Sequence, residues 1–233
     1  RQGAPQGLLI EGEASNLIKY ASRPADSGWS RGGGVNVTAA AELAPDGRLG
    51  VFRISRPDPT SGSRCEAVVP NPVGAEFGSA SVWLRSTTGT GKWRLRLLDF
   101  NTYNGVSAVV EVGPEWRRYS LLFYQQPRDT GSKRFSVLWN EPFGPAPAPA
   151  IYVWKPPTTY EPARTPLTLS HVLMWGAQYE TAGEPSSFIA TAGAVASRAA
   201  DVITFSTAVL NTATTGRLTI VLPDGGRRGG VII

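Results

Sequence analysis

Histidine and cysteine are nearly absent, with one of each, His171 and Cys65, in 233 residues. A lone cysteine excludes an intrachain disulfide framework and any cysteine-built zinc site within this chain, which leaves Cys65 to be read as a small buried hydrophobe. A lone histidine limits acid–base chemistry, and no Gly-x-Ser-x-Gly elbow presents a nucleophile to it, so His171 reads as structural or surface. Long apolar runs are missing too. None approaches the ~20 residues a membrane-spanning helix needs, and no charged, apolar, small-residue succession marks a signal peptide. The expectation is a soluble chain without membrane insertion. It opens at Arg1 and ends on Val231, Ile232 and Ile233, and reads as a piece of something longer. Charged residues are sparse at 18% against 41% hydrophobic, which excludes a disordered chain and supplies a core.

What the chain has in quantity is glycine (26) and proline (19), clustered between runs of Val, Ile, Leu, Thr and aromatics. Those runs alternate with period two. In residues 92–98, Trp93, Leu95 and Leu97 face one way and Arg94 and Arg96 the other, which predicts a half-buried antiparallel strand. The same alternation marks 81–85, 119–125, 135–139, 151–154, 171–179 and 218–222. Turn chemistry separates them at Pro45-Asp46-Gly47, Asn104-Gly105, Asp129-Thr130-Gly131 and Pro223-Asp224-Gly225. Many strands joined by short turns predict an all-β antiparallel sandwich with a short C-terminal β tail. The main domain is expected over 1–202 and the tail over 203–233. Residues 142–149, alternating Pro and Ala, predict an exposed semi-rigid loop, and the small-residue run 191–200 an exit from the main domain.

Enzyme chemistry finds little to stand on. Asp99, Glu111, Glu115, Glu141 and Glu161 are available carboxylates, yet nothing pairs any two of them as glycoside cleavage requires. Residues 87–93 fail as a phosphate loop, with Ser86 at the first glycine and Trp93 after Lys92. The net charge of +5 and pI near 9.6 raise the question of an acidic partner. Basic and aromatic residues interleave at Lys92-Trp93-Arg94 and Trp116-Arg117-Arg118-Tyr119, but strand alternation explains that pattern and no nucleic-acid motif adds to it. Nucleic acid is not expected as a partner.

Particular residues resemble a known family. Residues 7–12, then Asn16-Leu17-Ile18, then Gly28-Trp29, and near the other end Trp175-Gly176-Ala177-Gln178-Tyr179-Glu180 with Ser187-Phe188-Ile189 and Arg198-Ala199-Ala200-Asp201, are similar to a fibre domain of phage tail fibres and head spikes that also occurs in gene transfer agents. The resemblance spans residues 7–202. It departs at Tyr179, where the family usually has Leu, and in a long insertion at 140–166. It implies a jelly roll of carbohydrate-binding-module type on a virion surface, homo-oligomeric with a trimer favoured, and beside other virion structural proteins. Related jelly rolls often hold a structural calcium near the chain ends, where Glu11 and Glu13 lie. Calcium wants six to eight oxygens, so these two read as solvated charges and no cofactor is expected.

Glycan binding has a direct physical basis, because sugars present apolar C–H faces to flat aromatic rings while amides and guanidinium groups bond the hydroxyls. Trp29 and Trp175 read as core, and Tyr103, Tyr124, Trp154 and Tyr160 as ligand candidates. Asn101, Asn104 and Asn140 lie beside these aromatics in sequence, and Arg94 and Arg96 suit acidic groups of a capsule. Residues 101–105 also read as a plain hairpin turn. The expected function is attachment of a virion to host-surface polysaccharide without cleavage. A structural spacer or oligomerisation module is the alternative, and a capsule depolymerase the third reading.

Overall fold

A computed structural model describes residues 11–56, 63–69, 77–101, 105–124, 131–139, 167–201, 216–221 and 227–232. Among them fourteen strands follow one another: β1 (Ala14–Asn16), β2 (Trp29–Gly32), β3 (Asn36–Ala40), β4 (Val51–Ser55), β5 (Arg64–Val69), β6 (Phe77–Arg85), β7 (Gly91–Asp99), β8 (Gly105–Val112), β9 (Arg117–Tyr124), β10 (Lys133–Trp139), β11 (His171–Glu180), β12 (Ala196–Arg198), β13 (Gly216–Val221) and β14 (Arg227–Ile232). The chain forms two compact units. Residues 14–198 make one; residues 1–13 and 199–233 make the other.

The larger unit is an antiparallel β-sandwich of jelly-roll type. Its first sheet runs β2-β5-β10-β7-β8 and its second β3-β4-β11-β6-β9, so the chain crosses repeatedly between layers. Period-two alternation delivers one set of side chains from each sheet to the interior. Cys65, Ala67, Val69, Trp93, Leu95, Leu97, Phe135 and Val137 come from the first sheet, and Ile54, Ala80, Val82, Leu84, Leu121, Phe123, Val172 and Met174 from the second. Trp29 joins this core and its indole N–H donates to the Tyr20 carbonyl at 2.8 Å. Pro45-Asp46-Gly47 forms the turn its residues suggest. Gly47 has φ of 78° and donates to the Ala44 carbonyl, while Asp46 Oδ1 accepts from the Arg48 N–H.

Several of the buried polar residues near the two ends of the sandwich act as fasteners. Asn16, fully buried, donates from Nδ2 to the carbonyls of Ala177 (3.2 Å) and Ile189 (2.9 Å) and accepts at Oδ1 from the Ile18 and Tyr179 N–H groups. Gln178 Oε1 accepts from the Ile189 N–H at 2.8 Å, and Glu180 accepts from Gln178 Nε2 and from both the backbone and hydroxyl of Ser186. At Gly176, with φ of 63°, the β11–β6 register shifts between Trp175 and Gln178. A Cβ there would also press on Phe188 at 3.3 Å and Trp83 at 3.4 Å, so glycine fits on both counts.

Of the run 191–200, read as the exit from the main domain, residues up to Arg198 still belong to the sandwich unit and Ala199 begins the other. Thr191 Oγ1 donates to the Ile18 carbonyl and accepts from the Ala21 N–H, the Gly193 N–H donates to the Lys19 carbonyl, and β12 pairs with β1. It is a strap over the opening segment, held by hydrogen bonds where large apolar groups are lacking. The smaller unit contains an isolated hairpin, β13 with β14, in a continuous register from Gly216↔Ile232 to Val221↔Arg227. Within that unit Glu11 and Asp201 exchange hydrogen bonds, Glu11 N–H to Asp201 Oδ2 and Asp201 N–H to the Glu11 carbonyl.

Candidate functional site

The sandwich has two outer faces, and the sequence-derived site residues divide between them. On the first sheet the outward positions are Arg64, Glu66 and Val68 of β5, Arg134 and Ser136 of β10, and Arg94, Arg96 and Leu98 of β7, by alternation with the core set. Glu66 is fully buried. Its carboxylate accepts from Arg134 Nη1 at 2.7 Å and from the Ser136 hydroxyl at 3.2 Å, with Arg96 Nη2 and Arg64 Nε each 4.0 Å away. Arg134 also stacks on Phe100, its guanidinium carbon 3.7 Å from the ring centroid.

Arg94 and Arg96 are only 6% and 7% exposed. The half-buried strand expected over residues 92–98 is therefore buried on both faces, and its arginines present little surface to a ligand. Alternation identifies which residues point outward and is silent on whether that outward face is covered. Beneath them Cys65 is in the core as expected, and burial pushes its thiol up to about 12.

One end of the sandwich gathers polar groups around Asp99. Lys133 Nζ and Asp99 Oδ2 form a wholly buried pair at 2.5 Å, and the same carboxylate accepts from the Gly131 and Asn101 N–H groups. Lys133 Nζ lies 5.7 Å from the Phe123 ring of the second sheet. Tyr179, buried in the same core, has its phenol pushed up by desolvation and then by the Asp99 charge. Asn101 is exposed in the turn that leaves β7. Its backbone N–H donates to Asp99 Oδ1 at 3.0 Å, where the strand ends.

The second sheet presents a different outer face. Phe77 and Tyr124 are Cα partners across β6 and β9, 36% and 46% exposed, with rings 5.4 Å apart in an edge-to-face pair. Leu122, 42% exposed, stands two residues along β9, followed by exposed Ser120 and then Arg118. Arg118 reaches across to Ser81, with Nε and Nη2 at 3.2 and 2.9 Å from its hydroxyl. Next to it in register is Trp83, opposite Trp175 of β11. Trp83, Trp116 and Phe188 are half-buried around a small second core of Ala44, Val51, Leu173 and Trp175. Trp175 packs on Phe188 with centroids 4.3 Å apart, and the Trp116 indole donates to the Leu43 carbonyl.

Of the sequence-derived candidates, Tyr124 reaches an exposed aromatic surface and Asn101 an exposed turn, while Tyr103, Asn104, Asn140, Trp154 and Tyr160 lie outside the described residues. The expected strand at 151–154, the Pro-Ala loop at 142–149 and the turns at Asp129 and Pro223 lie there too. Sequence reasoning missed Phe77, Leu122 and Trp83. The signal for Trp83 was available: Val82 and Leu84 already fill the inward positions of β6, so a tryptophan between them must point outward. His171 bonds through Nε2 to the Thr87 hydroxyl at 2.9 Å, and its pKa is lowered by burial and then by Arg53. Among the described residues no group of three or more His, Cys, Asp or Glu could hold a metal, and no helix is long and apolar enough to cross a membrane.

No protein-family model and no curated protein matches the chain. Solved structures do. A carbohydrate-binding module, TmCBM61 in complex with β-1,4-galactotriose, is 16% identical over 70% of this chain and 97% of its own, with a TM-score of 0.45. The CBM22-1 xylan-binding domain of Xyn10C from Paenibacillus barcinonensis is 13% identical over 74% and 96%, at 0.43. The enzymatically active domain of bacteriophage CBA120 tailspike protein 4 is 16% identical over 70% of this chain at 0.41, and the match spans 21% of that longer chain.

Proposed function

We propose that the sandwich is a glycan-binding module that attaches a virion to host-surface polysaccharide without cleaving it. The observation that carries this reading is the outer face of the second sheet. There Phe77, Leu122 and Tyr124 stand exposed beside one another and lead, through Ser120 and Arg118, toward Trp83. Aromatic rings held upright on a rigid sheet offer flat apolar faces to the C–H side of a sugar, and the hydroxyl and guanidinium groups between them suit its hydroxyls. Placement on a virion, and assembly as a homo-oligomer beside other virion proteins, rest on the fibre-domain resemblance. Several copies on one particle raise the avidity of a weak individual site.

The test is binding of the purified, fluorescently labelled chain to encapsulated cells and to an isogenic capsule-minus strain, with the polymer sized before and after. Capsule-dependent retention with unchanged polymer length is the expected result. Equal absence from both strains, with folded protein, overturns the attachment reading; shortened polymer overturns the non-cleaving part.

A further inference from the structure

The same face carries an inference about the shape of its ligand, which rests on the glycan-binding reading. Phe77 and Trp83 both point outward from β6 and are six residues apart in an uninterrupted register with β9. At ~3.3 Å per strand residue they stand about 20 Å apart. Each marks an aromatic station: Phe77 with Tyr124 at one, Trp83 with Trp116 and Phe188 nearby at the other. The interval carries one exposed apolar side chain, Leu122 opposite Ser79, and is otherwise polar. Ser79 and Ser81 of β6 are buried, Ser120 is exposed opposite Ser81, and Arg118 lies across Ser81. On the β11 side the surface is fixed by the 186–189 segment, pinned to Gln178 and Glu180.

A single sugar touches one station and leaves the other in water. We infer that the ligand is the internal stretch of a linear glycan several residues long, lying along β6 and β9 with both aromatic stations engaged. A monosaccharide or a chain end then gains only part of the contact, so discrimination is by chain length and by absence of branching as much as by sugar identity.

The probe is an array of linear bacterial capsule polysaccharides and exopolysaccharides, each printed beside its own one-residue, two-residue and longer fragments. Retained polymers are followed by titration in solution. Three variants accompany the wild type: Phe77→Ala at the first station, Trp83→Leu at the second, and Ser120→Trp, which places bulk on the exposed surface between them. Thermal unfolding confirms that each variant is folded. The expected result is retention that rises steeply with fragment length, a roughly tenfold loss for each station variant, and a comparable or larger loss for Ser120→Trp. Fragments of one or two residues held as tightly as polymer, or unimpaired binding by Ser120→Trp, overturn the extended-ligand inference while leaving glycan binding intact. Retention of no glycan on the array overturns both.

Discussion

The two outer faces of one sandwich use the same residue types in opposite ways. On the first sheet arginines are drawn in around a buried carboxylate, and the middle of the face is buried while Val68 at its side remains 44% exposed. On the second, aromatics stand partly in solvent, Arg118 bonds the Ser81 hydroxyl, and Arg85, 5.7 Å from the Trp116 ring, pairs with the partly exposed carboxylate of Glu42 at 3.1 Å. A charged strand position is thus no guide to a binding surface by itself. A carboxylate two strands away decides whether the charge is spent internally.

The largest expected effect tests the buried middle of the first face. Glu66→Ala removes the shared acceptor of Arg134 and Ser136 and a buried negative charge 4.0 Å from Arg96. It should cost about 3 kcal/mol in denaturant unfolding, the lower end for a broken buried pair because Arg134 keeps some solvent access. A loss below ~0.5 kcal/mol would show this face to be no more closed than the other. Second, Gln178→Ala should cost about 2 kcal/mol, since it orphans the Ile189 N–H and part of the Glu180 acceptor set. That result would locate where the second face stops being surface and becomes fastening. Third, Tyr124→Ala should leave stability within about 0.5 kcal/mol of wild type while weakening glycan retention. Large destabilisation with unchanged retention would reverse the roles assigned to the faces.

The smallest effect concerns His171, beside Arg53 on the second face. Its folded pKa is lowered, so the folded state binds fewer protons than the unfolded state. The associated stability is present above the unfolded value, near 6.5, and declines as pH falls through the folded value. The lone imidazole gives a single titration in a two-dimensional NMR spectrum, which should fall below pH 6.5; a midpoint above it would contradict the lowering by burial and by Arg53.

Fold and site were legible to different degrees. Strands were readable because burial imposes period two on the chain, and β7, β9, β10 and β11 fall where alternation places them. The fasteners were visible only as a resemblance, since nothing in the spacing of Asn16 and Gln178 announces bonds between residues so distant in sequence. The site was half-visible. Tyr124 could be suspected from its place in an alternating run, but Phe77 becomes its partner only through register, and the low exposure of Arg94 and Arg96 was not legible because coverage of an outer face is a tertiary property. Five of the nine candidates fall outside the described residues, so the 140–166 insertion contributes nothing to this comparison.

The short ladder of β1 with β12 joins the two ends of the sandwich unit, with Ala14 opposite Arg198, Ser15 opposite Ser197 and Asn16 opposite Ala196. Tension along the polypeptide therefore enters and leaves at neighbouring points and runs through three residue pairs, peeling them one at a time. Until that zipper opens, the ten-stranded body hangs beside the line of force as a pendant that bears no load.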